Sequence, residues 1–117
     1  MKEERTYTQM KKGVLEMCIL SVISKSEVYT SDIIKVLHEA DLVVVEGTVY
    51  PLLSRLKNDG MLTYRWEEST SGPPRKYFRI TPAGQDLLSD LLQNWQSISQ
   101  SVEQIIHKKI EQNEINS

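Results

Sequence analysis

The chain has 117 residues, 39% of them hydrophobic and 26% charged, with a formal net charge of −2 at pH 7. That length holds one domain with one modest core, and the balance is that of a soluble globular protein rather than a disordered one. An overall acidic balance also excludes a uniform cationic coat, so any attraction for a polyanion has to be local.

Other absences narrow the field. No apolar run approaches the ~20 residues that span a bilayer. The start, M-K-E-E-R-T-Y, has no apolar segment of a secretory signal. Cys18 is the one cysteine and builds no disulfide framework; within an apolar helical pattern it reads as a core thiol. These features point to a cytoplasmic protein. With two histidines, His38 and His107, there is no metal-ligand spacing, and neither a glycine-rich phosphate loop nor a Ser/His/Asp set is present. The expectation is no catalytic residue, no metal and no cofactor.

Met1 to Tyr7 is charged and aperiodic and reads as a frayed start. From Thr8 a helix is predicted. Met10, Val14, Met17, Cys18 and Val22 form one stripe, widened by Leu15, Ile19, Leu20 and Ile23, which describes a strut buried on most sides. After a polar connection, Thr30 or Ser31 can cap a second helix with Ile33, Ile34, Val36 and Leu37 inward and His38 outward. The short apolar run Leu42 to Val45 reads as either a turn or a brief first strand, with the strand favoured.

A third helix is predicted from Glu46 to Gly60. Val49, Leu52, Leu53 and Leu56 share one face, and Gly60 can take the left-handed conformation that ends a helix. Pro51 stays tolerable because its ring presses on the carbonyl of Gly47, at the helix boundary. Left outside are Thr48, Tyr50, Pro51, Ser54, Arg55 and Lys57: hydroxyls, a phenol and two cations suited to base edges and phosphates.

The period then changes. Leu62, Tyr64 and Trp66 alternate with Thr63, Arg65 and Glu67 as a half-buried strand, with Trp66 read as packing. Ser69 to Pro74 is turn chemistry, predicting a hairpin loop of about six residues before a strand containing Lys76, Phe78 and Ile80. Arg75 and Lys76 lie on the return edge. A helix followed at once by a hairpin with a basic flank is the pattern of a winged helix-turn-helix. Charge follows the same division. Between Gly47 and Ile80, Arg55, Lys57, Arg65, Arg75, Lys76 and Arg79 outnumber Asp59, Glu67 and Glu68. From Thr81 onward, Lys108 and Lys109 face Asp86, Asp90, Glu103, Glu111 and Glu114.

Thr81 and Pro82 mark the start of a long helix predicted to about Gln112, with Asn113 to Ser117 loose. Leu88, Leu91, Trp95, Ile98, Val102 and Ile105 repeat at alternating steps of three and four, the seam of a coiled coil. A helix of ~30 residues is ~45 Å long, more than so small a domain can cover. A bare apolar stripe of that length predicts a homodimer.

G-T-V-Y-P-L-L-S-R-L-K-N-D-G, followed by S-G-P-P-R-K-Y-F-R-I-T-P-A-G, strongly resembles the PadR family of bacterial transcriptional regulators, over about Val14 to Ala83. The single C-terminal helix is similar to the smaller, LmrR-like subfamily of multidrug-sensing repressors. The resemblance implies a mainly α (α+β) fold: residues 1–81 as a winged helix-turn-helix and 82–117 as a dimerisation helix. It implies Ser31, Thr48, Tyr50, Ser54, Arg55, Lys57, Arg75 and Lys76 as contacts to double-stranded DNA at a pseudo-palindromic operator. For Trp95, with Ile98 and Val14, it leaves two expectations: a site for a small, planar, hydrophobic effector at the dimer centre, or a seam residue that simply packs the dimer. In the drug-sensing relatives a tryptophan stands at the Trp95 position, and two indoles across a two-fold axis can sandwich a flat molecule. The competing expectation is a winged helix that uses the same surface on another protein and binds no DNA.

Overall fold

The computed structural model describes residues 2–110 as four helices and one hairpin. Helices α1 (Lys2–Lys25), α2 (Thr30–Glu39) and α3 (Glu46–Asn58) precede strands β1 (Leu62–Ser69) and β2 (Gly72–Ile80), and α4 (Pro82–His107) closes the chain. The fold is mainly helical with a small antiparallel sheet, as the resemblance implied.

The core is made where the apolar faces of all these elements meet. Leu15, Ile19, Leu20 and Ile23 of α1 pack with Ile33 and Leu37 of α2, and with Val49, Leu53 and Leu56 of α3. Leu62 and Phe78 of the hairpin and Leu88 of α4 complete it. Burying each such side chain contributes about 1.5–3 kcal/mol. Among the described residues no buried polar or charged side chain interrupts it.

Helices α2 and α3 end alike. The chain turns left-handed at Asp41 (φ 62°) and at Gly60 (φ 81°). In each case the next amide reaches back to a carbonyl five residues earlier: Leu42 to Leu37 and Met61 to Leu56, both at 2.8 Å. Gly60 was legible as such a stop. Asp41 is the same device in a residue that tolerates the conformation less well.

Several expectations need correction. Lys2 to Tyr7 is the first part of α1, not a frayed start. The α2 cap is Tyr29 rather than Thr30 or Ser31, and its backbone N–H donates to the Asp32 carboxylate at 3.1 Å. Leu42 to Val45 is not a strand. His38 Nε2 lies 2.8 Å from the carbonyl oxygen and 3.3 Å from the amide nitrogen of Val44, and Lys11 Nζ donates to the Val43 carbonyl at 2.6 Å. With those groups engaged, the segment has little left to offer a ladder. The bridge to the hairpin comes from Val28, which exchanges both backbone bonds with Phe78.

The hairpin loop is Thr70 and Ser71 alone, because Ser69 pairs with Gly72 and both prolines lie in β2. Helix α4 ends at His107; Gln112 and Asn113 to Ser117 lie outside the described residues.

The start of α4 is fixed tightly. Thr81 Oγ1 accepts from the Gly84 amide at 3.0 Å and donates to the Gly60 carbonyl at 2.6 Å, while the Thr81 amide donates to the Met61 carbonyl at 3.0 Å. Gly84 lies flat against that Met61 carbonyl, and a Cβ there would collide with it and with Ile80. Gly84→Ala is therefore expected to destabilise the fold by about 1–3 kcal/mol or more, read as a lower urea midpoint at unchanged slope.

Candidate nucleic-acid interface

The surface of interest is a cleft of about 660 Å³ between α3, the start of α2 and the hairpin. Helix α3 forms one wall because Val49, Leu53 and Leu56 anchor its other side in the core. Tyr50, Ser54 and Lys57 are left on the open side. Pro51 lies well inside α3, where it cannot donate to Gly47. It is exposed.

The hairpin forms the opposite wall, and its register decides which side chains line it. Tyr64 pairs with Phe78 and Trp66 with Lys76, so these four project to the same side of the sheet. Phe78 is buried; Trp66, two residues farther along β1 from Tyr64, is 61% exposed. Ser31, near the start of α2, lies on the rim together with Tyr29.

The structure thus brings six of the eight sequence-predicted contacts into one concavity: Ser31, Tyr50, Ser54, Lys57, Arg75 and Lys76. Thr48 and Arg55 are not in its lining. Thr48 is exposed on the first turn of α3. Arg55 faces α1, where its guanidinium lies 3.4 Å from the Glu16 carboxylate. Sequence reasoning missed Tyr29, Asn58, Tyr64 and Trp66. For Tyr64 and Trp66 the signal existed, since their two-residue spacing with Lys76 opposite puts all three on one face. Trp66 was expected to pack, but the core ends at the Tyr64–Phe78 pair and has nothing to offer it beyond.

The electrostatics of the two hairpin faces differ. In the cleft, Lys76 Nζ sits 4.5 Å from the Tyr64 ring centroid and 5.2 Å from that of Trp66. Lys57 Nζ, from the opposite wall, sits 5.6 Å from the same Tyr64 ring, and the Arg75 guanidinium 5.2 Å from the Tyr29 ring. No carboxylate is among the cleft's lining residues. On the other face, Arg65 pairs with Glu27 at 2.9 Å and with Glu67 at 3.2 Å, and Arg79 lies 3.8 Å from Glu27. Those two arginines are already compensated, and the cleft cations are held by ring faces alone.

Further along, the coiled-coil seam divides. Leu88, expected at a dimer interface, is buried in the core of its own chain, because α4 first packs on α1. Leu91 is half-buried, whereas Trp95, Ile98, Val102 and Ile105 stand exposed, at 75% for Ile105. Val14 is half-buried on α1. Cys18 is half-buried, and burial pushes its thiol pKa up. Among the described residues no cluster of His, Cys, Asp and Glu is arranged for a metal, and no helix is long and apolar enough to cross a membrane.

One group on the Arg65 side of the hairpin reports on the hairpin's seating. The Tyr77 ring stacks on Tyr29 at 3.7 Å between centroids, and its phenol is pushed up to about 12, first by a hydrogen bond with Tyr29 and then by desolvation and the charge of Glu67. Because the folded value lies above the ordinary 10, the stabilisation is complete below pH 10 and is lost as pH rises towards 12. An ultraviolet titration is expected to show one phenol ionising last, and Tyr29→Phe to bring it back towards 10.

Comparison with known proteins agrees with this arrangement. The sequence pattern of the transcriptional regulator PadR-like family matches residues 19–90. A PadR-like transcription factor from Bacteroides fragilis is 50% identical, with 86% of this chain and 98% of that one covered and a TM-score of 0.73. A PadR family transcriptional regulator from Eggerthella lenta superposes with a TM-score of 0.83 at 26% identity, covering 91% of this chain and 93% of that one. A transcriptional regulator from Mycobacterium tuberculosis is 29% identical over 82 residues, 70% of this chain and 76% of its own. These relatives are regulators of transcription, not enzymes. The chain belongs to the PadR-like family of transcriptional regulators.

Proposed function

We propose that the protein is a dimeric, cytoplasmic repressor of the LmrR-like type that reads a pseudo-palindromic operator with α3. The observation that carries this is the cleft: three cations and several hydroxyls on two facing walls, with no carboxylate in the lining. Such a surface suits a polyanion whose phosphates position the protein while α3 meets base edges in the major groove. In this reading Tyr50 and Ser54 meet bases, Lys57, Arg75 and Lys76 meet phosphate, and Thr48 and Ser31 contact the flanks. Arg55 joins them by exchanging Glu16 for DNA, at small cost because an exposed ion pair contributes only about 0–1 kcal/mol.

Dimerisation is supported by α4, whose 26 residues run about 39 Å. Beyond Leu91 its apolar stripe, Trp95, Ile98, Val102 and Ile105, has no cover within the protomer. Residues 1–81 then form the reading unit and 82–117 the dimerisation unit. A planar hydrophobic effector between two Trp95 rings, with Ile98 and Val14 around it, would release DNA by tilting α4, which is joined to the C-terminal end of α3 through Thr81.

Gel shifts across a salt series on DNA upstream of the protein's own gene test the reading. Tyr50→Ala is expected to weaken binding by about tenfold while the protein stays folded, since the ring is half exposed. Arg75→Ala with Lys76→Ala is expected to lower the salt slope by about two. Unchanged shifts in both would sink the assignment. Ile98→Asp with Val102→Asp is expected to give monomers in sedimentation and to abolish the shift; a persistent dimer would remove α4 as the interface.

A further inference from the structure

Trp66 occupies an unusual place. It is the bulkiest side chain of the hairpin and is left 61% exposed, with its ring edge-on to Tyr64 at 6.1 Å and Lys76 over it at 5.2 Å. A tryptophan that only packed the wing would be covered. Two ammonium groups, Lys57 from α3 and Lys76 from β2, also converge on the single ring of Tyr64 from opposite walls. No carboxylate in the lining pairs with either ammonium. An anion entering the cleft would.

From this we infer that the cleft between α3 and the hairpin is a strand clamp. It grips one sugar–phosphate strand of a duplex, with Trp66 and Tyr64 against deoxyribose faces and Lys57 and Lys76 on phosphate. The inference rests on the proposal that this surface binds DNA, and it assigns Trp66 a contact that proposal does not contain.

Shape selects the occupant. When a helix lies in the major groove and the adjacent hairpin reaches the neighbouring groove, what stands between them is the ridge of one strand. The hairpin wall and Lys57 then meet deoxyribose and phosphate, while Tyr50 and Ser54 on the α3 wall keep the base edges. The chemistry fits: aromatic faces suit the C–H surface of a sugar, and lysines suit phosphate as point charges. Neither contact depends on sequence, so the clamp holds any duplex and sets the register in which α3 reads.

Mixed-sequence duplex DNA at low salt is therefore a sufficient probe, followed in parallel by gel shift and tryptophan emission. Emission of the full-length protein is expected to change saturably over the DNA range that produces the shift. In Trp66→Phe the change disappears at DNA concentrations that saturate its own shift. Trp66→Ala weakens binding on the order of fivefold with the salt slope unaltered, and Trp66→Phe, which keeps a ring face, recovers most of that loss. Lys57→Ala and Lys76→Ala each lower the slope by about one. A shift by the unaltered protein with Trp66 emission unmoved, or equal binding by Trp66→Ala, overturns the clamp and leaves the DNA reading standing. No shift by the unaltered protein overturns both. If Trp66→Ala does not fold, the emission of the unaltered and Trp66→Phe proteins decides the matter.

Discussion

The backbone of Met61 is the junction on which the molecule turns. Its N–H closes α3 by bonding the Leu56 carbonyl at 2.8 Å, and its own carbonyl receives the Thr81 amide at 3.0 Å. Gly84 lies close enough to that same oxygen that no side chain fits between them. The end of α3, the first strand of the hairpin and the base of α4 are therefore joined at one residue. Small motions of a rigid helix based there become larger at its far end, and this one runs about 39 Å. The end of α3 and the base of α4 thus share the hydrogen bonds of one residue.

Charge is arranged by the same packing. The chain is acidic overall, yet one concave face has cations without carboxylates. The separation comes from Glu27, which approaches the back of the hairpin and takes up Arg65 and Arg79. Lys76 and Lys57 lie on or across from the other face, and Arg75, paired opposite Glu67, reaches the cleft at the Tyr29 ring; aromatic rings hold all three in place without neutralising them. Cation–ring contacts are weak, on the order of 0.5–1 kcal/mol at exposed sites, so these side chains are preorganised but available. A local field of this kind draws in a polyanion that the net charge would repel.

Helix α4 serves two environments along its length. Its first turns belong to the protomer, with Leu88 buried in the core and Leu91 half-buried. Past that point the apolar stripe continues while the domain beneath it ends, which is visible in the long axis of 70 Å against 35 and 21 Å for the others. The proposed dimer is the arrangement that would remove this stripe from water, and it would set two α3 helices at a fixed spacing.

Local rules made much of this legible in the residues. The capping pair Thr81 and Pro82, the left-handed Gly60, the apolar faces of α2 and α3 and the strand alternation at Leu62, Tyr64 and Trp66 all depend on neighbours within a few positions. The motif around Val49 to Leu56 together with the hairpin was enough to indicate the family and five of the six cleft residues, Ser31 on α2 being the sixth. What required the fold were contacts between segments distant in sequence. Leu42 to Val45 had the composition of a strand, but His38 and Lys11 occupy its backbone groups, so Val28 makes the bridge instead. Arg55 looked like a free cation until Glu16, 39 positions earlier, came beside it. Alternation separates Lys76 from Arg65 and Arg79, but it leaves Arg75 with those two arginines, and only the approach of Glu27 to Arg65 and Arg79 tells them apart. Trp66 resembled a core residue because its alternation was right, while the point at which the core stops is set by the tertiary packing of α1 and α3 against the sheet. Sequence spacing determines which face a side chain joins; what that face meets is decided by the rest of the chain.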